Sequence, residues 1–164
     1  VHFTEGIHIQ HLFRPVIAAL VAVFLSTATA GASTPDDHYV LTAAVVQKLK
    51  AANKAIEQAD LPEETPAQEK EDDKYRVKGE LPVERFILSI ERRPQAKVLV
   101  IKHGFTPKEF GLATYAMLDA SMHLTFESMA SKADVAKQFA KLTKEQQANV
   151  ALLRKLGPAA TASN

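Results

Sequence analysis

Phe105-Thr106-Pro107-Lys108-Glu109-Phe110 opens a stretch that continues as Gly111-Leu112-Ala113-Thr114-Tyr115-Ala116-Met117-Leu118-Asp119-Ala120-Ser121-Met122-His123-Leu124-Thr125-Phe126-Glu127-Ser128-Met129-Ala130. Its first six residues hold every part of a helix start. Thr106 caps, Pro107 suits the first turn, Glu109 completes a capping box, and Phe105 with Phe110 can form a hydrophobic staple. At about 100° per residue, Phe110, Ala113, Met117, Ala120, Leu124 and Ser128 fall on one stripe. Tyr115, Leu118, Met122, Phe126 and Met129 form a second stripe. A helix apolar on two sides is packed on two sides. The spacing therefore predicts a central helix over 107–130 with the others around it.

The flanking segments supply those others. On the C-terminal side, Ser131 and Asp134 begin a helix that buries Val135, Phe139 and Leu142. Thr143 and Gln146 repeat the capping pattern before a last helix, which buries Val150 and Leu153 and stops at Gly157-Pro158. On the N-terminal side, Val83, Phe86, Ile87 and Ile90 recur at i, i+3, i+4 and i+7, which predicts a helix over 82–93. Val98-Leu99-Val100-Ile101 has strand composition, but no second strand-like run exists to pair with it. A short helix from Pro94 to His103, closed by Gly104, is the expectation there.

Further upstream, Thr34-Pro35-Asp36-Asp37 reads as a helix start, with Leu41, Val45, Leu49, Ala52, Ile56 and Ala59 on one stripe running to Asp60. Residues 60–73 are acidic, carry Pro62 and Pro66, and offer little to bury. They are expected to be a mobile linker within a flexible loop over 60–80, the alternative being a partner-binding segment. The reading is thus an all-α domain over 33–158, an irregular bundle of about five helices. A disordered tail is expected over 159–164.

Before that domain, Arg14 precedes an apolar run from Val16 to Leu25. Two small-x-small triplets follow, Ala28-Thr29-Ala30 and Ala30-Gly31-Ala32. This is the layout of a cleaved signal peptide over 1–32, and the alternative is an uncleaved anchor. A spanning helix needs roughly 20 apolar residues, and this run is about half that. The expected address is the bacterial periplasm or the exterior, with no stable membrane anchor after cleavage.

Composition narrows the chemistry. The net charge is +1, so no general pull toward nucleic acid exists. The chain has no Cys, which excludes disulfides, a thiolate metal site and a thiol nucleophile. It has no Trp and few aromatics. No nucleophile elbow, HExxH, phosphate loop or dinucleotide fingerprint occurs, so no catalytic residue and no cofactor is expected. Residues 74–108 are rich in bases, including Arg85, Arg92, Arg93, Lys97 and Lys102. They are expected to attract the preceding acids, to face an anionic envelope surface, or simply to be solvated.

Two candidate sites remain, both on the central helix. Asp119, His123 and Glu127 recur at i, i+4 and i+8 and could present a metal-binding row. The competing reading is a solvated strip with His123 exposed. His103 or His38 would be the extra ligand. Tyr115, Leu118, Met122, Phe126 and Met129 are either core or a flexible surface for an apolar client or protein partner.

Leu142-Thr143-Lys144-Glu145-Gln146 resembles the LTxxQ motif of small helical periplasmic stress and chaperone proteins. The likeness covers these five residues, and the second motif usual in that family has no counterpart here. It implies an exported, Cys-poor, all-α protein that binds unfolded clients on an apolar concave face. It carries over only Thr143 and Gln146, as caps. The function expected from all this is a non-catalytic binding or structural role in the periplasm. Client binding and metal binding are the alternatives.

Overall fold

The computed structural model describes residues 34–157 except 60, 63 and 78. The signal-peptide and tail expectations lie outside the described residues. A 3-10 turn (Pro35–His38) comes first. Seven α-helices follow among the described residues: α1 (Ala43–Gln58), α2 (Pro66–Asp73), α3 (Val83–Glu91), α4 (Pro94–Lys102), α5 (Pro107–Met129), α6 (Lys132–Phe139) and α7 (Lys144–Leu156). Among the described residues no β-strand forms, and Val77 and Glu80 make only a lone bridge. The fold is an all-α bundle, and none of its described helices is long and apolar enough to cross a membrane.

The long helix α5 is central, as its two stripes require. It contacts the 3-10 turn, α1, α3, α4, α6 and α7. Thr106 and Glu109 form the expected capping box. The Phe105 and Phe110 rings meet edge to face, 6.0 Å apart. Phe110, Gly111, Ala113, Ala116 and Ala120 are its buried positions. Small residues dominate that set because neighbouring helices come close. At Gly111 a Cβ would collide with Ile87 Cγ1 of α3, so only glycine fits this crossing. The core continues through Val46, Leu49 and Ala52 of α1, Val100 of α4, and Val150 and Leu153 of α7. The 98–101 run is helical, and Gly104 closes it with φ of 78°.

Two expectations are corrected. The first helix does not start at Thr34. The 3-10 turn ends at His38, and Thr42 caps α1 by accepting the Val45 N–H. The backbone between them is held by α7: buried Asn149 accepts from Leu41 N and donates to Tyr39 O, each at 2.7 Å. Those groups are taken before helix formation can use them. The second correction concerns the acidic stretch within 60–80, which contains α2 rather than only a loop. Thr65 and Gln68 form a capping box with Pro66 at the helix start. The helix is anchored by an ion pair from Asp72, which is 6% exposed, to Arg85 of α3 at 2.9 Å. The Arg85 guanidinium also lies 3.8 Å from the Tyr75 ring centroid. Arg93 pairs with Glu64 in the same way, so the acidic and basic segments do attract each other.

Candidate metal centre

The 3-10 turn is built by its own sequence and then fixed by α7. Pro35 sets the turn, and the Asp37 carboxylate accepts the Thr34 N–H at 2.6 Å. From α7, Thr143 Oγ1 donates to Asp37 O and Gln146 Nε2 donates to Asp37 Oδ1, both at 2.7 Å. Thr143, Gln146 and Asn149 stand at i, i+3 and i+6, one face of one helix. Thr143 and Gln146 therefore cap α7 and also hold the chain more than a hundred residues upstream.

This fastening carries two acids onto α5. Asp36, Asp37 and Asp119 each place one carboxylate oxygen within 4.8 Å of the others. Asp36 is only 6% exposed. Among the described residues neither Asp36 nor Asp119 receives a side-chain hydrogen bond or an ion pair from a cationic side chain. Burial, then the charges of Asp36, Asp37 and Glu80, push the Asp119 carboxyl up to about 7. One turn earlier, burial pushes the Tyr115 hydroxyl up to about 12, aided by Glu80 and Asp36. That hydroxyl donates to Leu81 O. Burying unanswered charge is costly, and such groups recover either by taking protons or by sharing a cation. Oxygen ligands about 2.4 Å from one ion stand no more than about 4.8 Å apart, so this spacing suits a hard divalent cation. The donor set is all carboxylate, which favours calcium, magnesium or manganese over softer metals.

The row Asp119, His123, Glu127 is not brought together as one ligand set. Of its members, only Asp119 belongs to the carboxylate cluster. His123 Nε2 lies 3.3 Å from Glu127 Oε1, and Arg154 of α7 lies 2.5 Å from the same oxygen. His123 is not on an exposed strip. Its side chain is 8% exposed and its ring sits 5.6 Å from the Phe139 ring, because α6 folds back over this part of α5. Its Nε2 is buried without a hydrogen bond. His38 turns to Glu145, at 3.5 Å, and His103 caps the end of α4.

The Met and aromatic seam divides as well. Tyr115 is taken up by Leu81 and by Phe86, whose ring is 5.6 Å away. Met122 and Phe126 are half-buried, while Leu118 and Met129 are 41% and 67% exposed. Sequence reasoning missed Asp36 and Asp37 as site residues because they also read as ordinary helix-start acids. The polar face of Thr143, Gln146 and Asn149 was the available signal that something docks there. Comparison with family models, curated proteins and solved structures finds no match to this chain.

Proposed function

We propose that this chain is an exported, non-catalytic helical protein of a bacterial periplasm that binds a calcium-class divalent cation at Asp36, Asp37 and Asp119. One observation carries the binding site: Asp36 is nine-tenths buried, lacks a donor among the described residues, and lies against two more carboxylates. A cation there would tie the N-terminal turn to α5. The non-catalytic part rests on the absence of catalytic patterns in the sequence. The export part rests on the layout of residues 1–32, and mass spectrometry of the exported protein should find an N-terminus at Gly31 or Ser33. An intact Val1 would argue for an anchor instead.

Calorimetric titration with calcium chloride above pH 7 tests the site. One binding event is expected, lost in Asp36→Asn and in Asp119→Asn. Magnesium should bind more weakly, since it demands a near-ideal octahedron. No heat with the unaltered chain, or equal heat in both variants, rejects the reading.

A second reading is favoured by the exposure of Leu118 and Met129 on α5. In it the seam binds unfolded clients, in line with the LTxxQ resemblance. Suppression of aggregation of a denatured test protein at equimolar amounts supports it, and no suppression rejects it.

A further inference from the structure

The outer face of α4 carries a feature the cation site does not use. Val98 and Ile101 are 63% and 53% exposed, one turn apart. They stand between exposed Lys97 on one side and exposed Lys102 on the other. Beside them lies a shallow depression of about 460 Å³, lined by Ala59, Leu61, Pro94, Gln95, Val98 and Leu99. A third cation, Lys48 of α1, reaches Gly104 at the end of α4; a Cβ on that glycine would lie 3.5 Å from its Nζ. Between Arg92 and Lys108 the chain contains no acid. The acids that approach from outside this run are engaged: Glu109 is turned to the Thr106 backbone and hydroxyl with Lys48 beside it, and Glu64 pairs with Arg93.

We propose that this face docks on an anionic phospholipid membrane. Branched aliphatic side chains bracketed by lysines match the boundary between acyl chains and headgroups. There the lysine stems lie along apolar surface while their ammonium groups reach anionic phosphates. The depression is apolar and lacks the Tyr, Trp or Arg anchors that protein interfaces concentrate at their centres. An acidic protein partner is therefore the disfavoured occupant. The inference is independent of the cation site.

Because the chain has no Trp, Val98→Trp reports on this face alone. Its emission should shift to the blue on adding phosphatidylglycerol vesicles and be quenched when their acyl chains are brominated. Phosphatidylcholine vesicles should leave it unchanged, and salt should weaken the response. Met129→Trp, on α5, should not respond. Adding Lys97→Glu and Lys102→Glu should lower partitioning at least about tenfold. Ile101→Trp replaces Val98→Trp if circular dichroism shows that the latter is unfolded. Unchanged emission with phosphatidylglycerol, an equal response at Met129→Trp, or a response only to polyglutamate overturns the proposal.

Discussion

Asp119 and Glu127 are two acids on the same side of one helix, eight residues apart, and the fold treats them in opposite ways. Glu127 is answered from within the protein: Arg154 of α7 and His123 of its own helix both approach one of its oxygens. Asp119 is met by two further acids, with Glu80 close enough to add to its burden. The difference teaches where ligand chemistry is to be sought. An acid already paired with a cation in its own fold has no need of another. An acid packed against acids keeps its charge only if something from outside supplies the countercharge. A sequence reading that groups Asp119, His123 and Glu127 by spacing alone cannot separate these cases, because the partners come from the 3-10 turn and from α7.

The largest expected effect lies in what forces the acids together. Asn149→Ala removes both hydrogen bonds that fix the segment from Tyr39 to Leu41 and leaves two backbone groups without them. A loss of about 2–4 kcal/mol in urea unfolding is expected, from a buried cavity and unpaired polar groups. Calcium binding should weaken with it, since the 3-10 turn then has less to hold it on α5. Retained stability and affinity would show that the carboxylates converge without this fastening.

Asp119 itself gives the next effect, with the opposite sign. Its folded-state value of about 7 stands above the ordinary carboxyl value of 3.8. The folded protein therefore keeps a proton between about pH 4 and about pH 7, where the unfolded chain has released it. Stability is greatest below that window and falls as pH rises through it. Asp119→Asn should flatten the fall and raise stability at pH 8 by about 1–3 kcal/mol without metal. Calcium should restore the unaltered chain at pH 8, do little at pH 5, and do nothing for the variant, because the cation replaces the proton. A pH profile equally steep in Asp119→Asn would place the charge conflict elsewhere.

Local signals carried most of the fold. The caps at Thr106, Ser131 and Thr143 start helices where spacing placed them, since each motif contains its own hydrogen-bond partners within four residues. The errors arose where distant residues decide. Tyr39 to Thr42 has acceptable helical composition, yet Asn149 claims its backbone groups. The acidic stretch lacks apolar residues, yet Asp72 finds Arg85 and the local box at Thr65 and Gln68 suffices to wind α2. His123 falls off both apolar stripes, and only the return of α6 buries it beside Phe139. Of the carboxylate site, Asp119 was legible as a candidate ligand. Its two partners were not, because the chain that joins them to α5 runs through a different helix.

The smallest effect comes from the answered acid. Glu127→Gln removes the charge that Arg154 and His123 approach, but Arg154 is half-exposed, so water recovers much of what the pair provided. A loss of about 0.5 kcal/mol or less is expected by chemical denaturation, shrinking further with added salt. The substitution should leave calcium titration unchanged, because the cation is held more than two turns away along α5. A loss of calcium binding in Glu127→Gln as large as that in Asp119→Asn would reunite the two acids in one site. The contrast between them would then fail, and the spacing of Asp119, His123 and Glu127 would again be the better guide to the ligand set.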